Sequence, residues 1–248
     1  MSLRTVKVTR YVTPLREGGS LPAIVEADDD GLYVLKFSGA GQGKKALITE
    51  LLGGEIARTL GLKVPELVFI DLDPALAMTE PDPEIQDLIK ASAGLNLALD
   101  YLPGSITYDP ALQQPDADLA SRIVWLDAFI ANVDRTARNA NMLLWHKEIW
   151  LIDHGAAIYF HHNWDGFAGN VANPFVMVKD HILKSFANNV ADVDAEMTAK
   201  LTSGKLSRIV SLIPDEWLDE PDAQRPAYLE FLTKRLEEPR AFAAEASK

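Results

Sequence analysis

Asn132-Val-Asp134-Arg-Thr-Ala-Arg-Asn139-Ala-Asn141-Met-Leu-Leu144 is followed closely by Ile149-Trp-Leu-Ile-Asp153-His-Gly155. Leading into it is an apolar run, Ile123 to Val133, interrupted by Asp127; the spacing predicts a helix over Ala117 to Val133. The helix gives way to a loop holding Asp134 and, five residues later, Asn139. Met142 to Trp145 and Ile149 to Ile152 read as a hairpin around His146-Lys147-Glu148. Asp153 then stands just past a buried β-run, where the chain must turn. Two acids and an amide at hairpin ends suit a magnesium–phosphate site, because Mg²⁺ is hard and is held by one or two carboxylates plus phosphate oxygens. An Asp not tied to the metal can orient a hydroxyl and take its proton. Taken singly, these residues are ordinary turn and cap types. The ordered set, with strands between its members, points to chemistry.

Upstream of this stretch the chain is mixed and strand-rich. Val6 to Val12, Leu21 to Glu26 and Leu32 to Phe37 read as strands; the last two flank Asp28-Asp29-Asp30-Gly31, a hairpin signal. Lys44 to Leu60 has helical spacing and stops at Gly61, Leu67 to Leu72 reads as a strand, Pro81 to Ala91 as a short helix, and Leu95 to Leu102 as a strand closed by Pro103-Gly104. Downstream, helices are expected over Val176–Phe186, Val193–Leu201, Lys205–Leu212 and Arg225–Glu245. The composition shift places a boundary near Pro103, giving a unit over residues 1–103 and a mostly helical one over 104–248. The expected fold class is α+β, and a cleft between two unequal lobes is where a small ligand binds.

Composition narrows the function. With 36 acidic against 24 basic residues the net charge is −12, which argues against nucleic-acid or anionic-membrane binding. There is no cysteine, so disulfides, thiol nucleophiles and cysteine metal sites are excluded. No apolar run reaches a membrane span, and Met1 to Arg10 lacks an apolar signal core; the expectation is a soluble cytoplasmic protein. Ser38-Gly39-Ala-Gly41-Gln-Gly43-Lys44-Lys45 sits between a strand and a helix, as a phosphate loop does. It lacks the Gly at 38 and Ser or Thr at 45 of a Walker loop, and the Gly at 44 of a dinucleotide fingerprint. It reads as a flexible connection near nucleotide phosphates, with Lys44 or Lys45 assisting. No zinc-binding histidine spacing and no Gly-x-Ser-x-Gly elbow is present.

The Asp134-x4-Asn139 spacing, the hairpin and Ile152-Asp153-His154-Gly155 together resemble the catalytic loop and metal motif of the protein-kinase-like superfamily, and most of all the HipA-like kinases and the phosphoinositide 3-/4-kinases. The resemblance extends over roughly residues 20–160. It includes Ala57-Arg-Thr-Leu-Gly-Leu-Lys-Val-Pro65, which matches a HipA-like stretch. It implies a two-lobed protein-kinase-like fold, with a small strand-rich N-lobe of a nucleotide-binding sheet plus one helix, and a mostly helical C-lobe. It further implies ATP and Mg²⁺ as cofactors and transfer of the γ-phosphoryl to a hydroxyl, with protein Ser/Thr as the expected acceptor. Lys36 would hold the α- and β-phosphates and Glu50 would pair with it; Glu55 is the rival acid, five residues away on the same helix. The backbone of Leu99, Asp100 and Tyr101 would meet adenine. Ser20 would touch phosphate or be a site of self-phosphorylation. Asn139 and Asp153 would bind Mg²⁺, and Asp134 would take the acceptor's proton. His154 reads as a packing residue and His161 to Asn173 as an activation or substrate loop. The partners implied are ATP, a protein or small-molecule hydroxyl acceptor and an antitoxin-like protein, with no nucleic acid. The alternatives are a catalytically silent nucleotide-binding regulator and a lipid or small-molecule kinase.

Overall fold

The computed structural model describes residues 3–15, 21–164 and 171–248. The described chain divides into two compact units: Met1–Leu51 with Pro65–Gly104, and Leu52–Val64 with Ser105–Lys248.

In the first unit, strands β1 (Thr5–Pro14), β2 (Ala23–Ala27), β3 (Leu32–Lys36), β4 (Leu67–Leu72) and β5 (Gly94–Asp100) form a closed barrel in the order β1-β2-β3-β5-β4. Closure goes beyond the expected sheet. It comes from β1, which pairs antiparallel with β2 and parallel with β4 through Thr5–Phe69, Val6–Ile70 and Lys7–Asp71. Register shifts between Val8 and Arg10 and between Tyr11 and Thr13 bend this ten-residue strand enough to reach both neighbours. Alternation fills the barrel. Val25, Tyr33, Leu35, Val68, Ile70 and Ala98 are buried in one cluster. Ile85 and Ile89 of a second helix, α2 (Pro83–Ala91), join that cluster, so the unit holds more than the one helix expected. The same alternation sets Lys36 on the face of β3 opposite Tyr33 and Leu35.

Helix α1 (Lys44–Leu60) has the expected bounds. Gly61 stops it at φ +87°, a backbone conformation that glycine adopts without strain. Its residues up to Leu51 belong to the first unit and those from Leu52 to the second.

In the second unit, α3 (Ala117–Phe129) is buried on every side from Ile123 to its end. It ends four residues before the expected Val133. The amide of Asn132 donates to the Asp127 carbonyl (2.8 Å) and Ala131 takes a left-handed φ of +51°, a Schellman-type stop that has no glycine to announce it. Strands β6 (Ile106–Thr107), β7 (Met142–Trp145) and β8 (Glu148–Leu151) form a small antiparallel sheet. Helices α4 (Val190–Lys200), α5 (Ser203–Val210), α6 (Pro221–Arg235) and α7 (Ala241–Ala246) follow. Two expected helices are corrected. Residues Val176–Phe186 form two short 3₁₀ turns, Val176–Asp180 and Lys184–Phe186, because His181 between them is extended and bridges to Thr136. The span Arg225–Glu245 is two helices; Pro239 lies between them and cannot continue a helical ladder. No helix among the described residues is long and apolar enough to cross a membrane.

Candidate active site

In the barrel unit, Lys36 Nζ lies 3.9 Å from Glu50 Oε2; their side chains are 13% and 2% exposed. A lysine and a glutamate this buried need one another, since burying a single charge costs far more than burying a pair. Glu55 is also buried but pairs with Arg58 one turn on, at 3.3 Å, and belongs to the other unit. Burial pushes the Glu55 carboxyl up, with Arg58 partly offsetting it.

The start of the Ser38–Gly43 connection is hydrogen-bonded to the rest of the barrel unit. The Ser38 amide donates to Asn96 Oδ1 (2.7 Å) and the Gly39 amide to Ser92 Oγ (3.0 Å). A β-carbon on Gly39 would come within 2.9 Å of Ala91 and Ser92, so only glycine allows this approach. Asn96 and Ser92 escaped the sequence reading; both are fully buried, and a buried polar side chain needs a partner. Lys44 and Lys45 lie in the first turn of α1.

Two amides of the expected adenine-facing stretch are engaged within the barrel unit. The Asp100 amide already donates to the Glu66 carbonyl (2.8 Å) and the Tyr101 amide to the Leu32 carbonyl (2.9 Å). Leu99 is in register with both Val34 and Leu67. β5 is a central strand, so its amides serve the barrel. Ser20 lies outside the described residues, as do Gly166 and Gly169 of the expected activation loop.

In the helical unit the three predicted polar residues fall on one small framework. Asn139 Nδ2 donates to Asp134 Oδ2 at 2.7 Å, and Asn141 Nδ2 donates to the same oxygen at 3.3 Å. Thr136 and Asn139 exchange backbone hydrogen bonds (2.9 and 3.1 Å), closing the loop between them. The Ile152 amide donates to the Asn141 carbonyl (3.1 Å), so the residue before Asp153 is fixed to the residue that braces Asp134. Asn141 and Asp153 have positive φ, +47° and +56°, which Asn and Asp tolerate better than other non-glycine residues. His154 is wholly buried; a β-carbon on Gly53 of α1 would come within 2.6 Å of its Cβ.

Beneath the loop lies a group the sequence reading did not assign to the site. Asp127, wholly buried in α3, accepts from Arg135 Nε (2.5 Å), His181 Nε2 (2.9 Å) and Asn132 Nδ2 (2.9 Å). Leu183 donates its amide to His181 Nδ1 (2.9 Å), which fixes the proton on Nε2. Burial alone would push the Asp127 carboxyl up; the Arg135 charge and the His181 hydrogen bond outweigh it and hold it well below the usual carboxylate range. The available signal was the single acid inside an otherwise apolar helical run, since such an acid is almost never buried unless paired.

The strand-built unit carries a buried lysine–glutamate pair, and the helical unit carries an aspartate braced by two amides and an Asp-x-Gly turn, residue types that a phosphotransferase of the kinase class uses. The comparisons with known proteins agree. The family model described as HipA-like kinase matches residues 8–241, so the chain belongs to that family and is a kinase. Two solved structures share the fold. The Helicobacter pylori proinflammatory kinase CtkA is 14% identical, with a TM-score of 0.60 over 98% of each chain. The Golgi casein kinase with Mn/ADP bound is 10% identical, with a TM-score of 0.56 over 99% of this chain and 73% of that one. None of the curated proteins matches in sequence.

Proposed function

We propose that this kinase transfers the γ-phosphoryl of Mg·ATP to a protein Ser or Thr hydroxyl. The observation that carries the proposal is the bracing of Asp134. Two side-chain amides donate to its Oδ2, while no described residue donates to Oδ1. A carboxylate held this way can receive a hydroxyl proton at Oδ1 without rotating out of line. Lys36, oriented by Glu50, would hold the α- and β-phosphates. The first backbone amide past the barrel's own ladder is that of Leu102, since Pro103 has none; adenine would meet it there.

The donor set also fits a magnesium ion. Asn139 Oδ1 and the Asp153 carboxylate are hard oxygen donors. Nucleotide phosphates would complete the shell of such an ion. When bound, the ion offsets negative charge on the transferring group. A protein acceptor is supported by the fold shared with a casein kinase, whose name gives a protein as its substrate, and by the resemblance to HipA relatives. The net charge of −12 disfavours a lipid headgroup on an anionic surface.

The test has two stages. ATP with Mg²⁺ is expected to raise the melting temperature of the wild type and of Asp134→Asn alike. Transfer of label from [γ-³²P]ATP to protein is expected from the wild type only, with Asp134→Asn lower by about a thousandfold. Binding without transfer in the wild type would instead favour a nucleotide sensor. Equal transfer by both proteins would refute the role given to Asp134.

A further inference from the structure

The buried Asp127–Arg135–His181 group lies outside the set of residues proposed to hold nucleotide or acceptor, yet its hydrogen bonds reach their neighbours. Arg135 follows Asp134 directly, and its side chain is wholly buried. Its Nε donates to Asp127, and its Nη1 donates to the carbonyl of Asn141 and, at 3.3 Å, to that of Ile152. One guanidinium therefore grips the residue that braces Asp134 and the residue that precedes Asp153. Asn132, bound to the other oxygen of Asp127, accepts the Asp134 amide on its Oδ1 (3.3 Å). His181 joins the same carboxylate, and the next amide, that of Ile182, donates to the Arg135 carbonyl (3.1 Å).

Stability alone is a poor reason for this arrangement. Replacing a buried ion pair by apolar groups is often neutral or favourable, and the residues of α3 around Asp127, Ile123 to Phe129, are otherwise apolar. We infer that Asp127 is a positioning residue: through Arg135 and Asn132 it sets Asp134, Asn141 and the Asp153 turn in mutual register. This inference rests on the kinase reading above.

It has a regulatory corollary. Kinases commonly order this region by phosphorylating the segment after the metal motif, whose phosphate then pairs with an arginine. From Gly155 to Lys184 this chain has neither serine nor threonine. Its arginine is already taken by an internal carboxylate. The register is built in, and Ser/Thr phosphorylation of the segment is not needed to set it.

The test measures transfer by Asp127→Asn and by the pair Asp127→Asn with Arg135→Gln, in which no buried charge is left alone. Asp134→Asn is run alongside, and the folded fraction is checked by circular dichroism. Displacing reacting groups by about 1 Å costs on the order of a hundredfold in rate. Both the single and the paired variant are therefore expected to lose about that factor in kcat, with KM for ATP within about threefold of wild type. Phosphatase treatment of the wild type is expected to leave kcat unchanged. If the paired variant folds and regains wild-type kcat, the group serves charge balance only and the inference fails. A large loss of kcat after phosphatase treatment would overturn the corollary. If Asp134→Asn is fully active, the kinase reading itself has failed, a result distinguishable from either.

Discussion

The two units hold their candidate site residues by different means. In the barrel unit, Lys36 is placed by strand register and Glu50 by helix phase; one ion pair at 3.9 Å joins them. In the helical unit, Asp134, Asn139 and Asp153 stand on irregular backbone, and side chains supply what regular ladders do not. Arg135, Asn132, Asn141 and His181 together satisfy carbonyls, amides and carboxylate oxygens around them. The lesson concerns sensitivity. A side chain on a ladder loses its own function when mutated, whereas one inside a hydrogen-bonded loop takes neighbours with it.

The largest effect that would break this comparison is expected at Asp153. Asp153→Asn should remove the Mg²⁺-dependent part of ATP binding, measured by titration with and without the ion. It should also lower transfer on the order of a thousandfold, about 4 kcal/mol of lost charge stabilisation. If Mg²⁺ still tightens ATP binding in the variant, the metal is held elsewhere.

Next comes Lys36. Lys36→Met should lower kcat/KM by about a hundredfold, the scale of one lost charged contact to the transferring group. Glu50→Gln acts through the lysine and should cost about tenfold. Lys36→Met also takes the ion pair from the buried Glu50 and should lower the melting temperature, so kinetics are compared on the folded fraction measured by circular dichroism. Unchanged kinetics in Lys36→Met would remove the barrel unit from nucleotide binding.

How much of this was legible in the chain follows the same division. Regular elements announced themselves: α1 and β4 have the bounds read from apolar spacing, and Glu50, favoured over Glu55 by the family resemblance, lies 3.9 Å from Lys36. The Asp134, Asn139 and Asp153 pattern was visible because the loop is short and its residues are close in sequence. What stayed hidden depends on partners distant in sequence. Parallel pairing of β1 with β4 closes the barrel across about sixty residues. His181 reaches Asp127 from fifty-four residues away, and that contact replaces an expected helix by two turns. The amides of Asp100 and Tyr101 are consumed by carbonyls that only the folded sheet brings near.

A smaller effect is expected at Gly53. Alanine has the better helix propensity by about 1 kcal/mol. Here its β-carbon would come within 2.6 Å of His154 Cβ, an atom that no rotamer change can move aside. Overpacking of this kind costs about 1–3 kcal/mol. Gly53→Ala should therefore lower the melting temperature by a few degrees, and activity should fall about tenfold because His154 adjoins Asp153. A more stable variant with full activity would show that the helix yields instead.

The smallest effect separates the two acids of α1. Glu55 pairs with Arg58, and burial raises its carboxyl above the ordinary value. A raised acid is a stability penalty wherever it is charged, so the penalty is present at neutral pH and relieved as pH falls through the raised value. Glu55→Gln keeps an acceptor for Arg58 and removes the charge. Its melting temperature should equal or slightly exceed that of the wild type at neutral pH, by about 2 °C or less, and the difference should vanish toward about pH 4. Transfer should be unchanged, in contrast to the tenfold loss in Glu50→Gln. If Glu55→Gln were the impaired variant and Glu50→Gln the silent one, the partner of Lys36 in the working enzyme would be Glu55. The assignment of Glu50 as the acid that orients Lys36 would then fail.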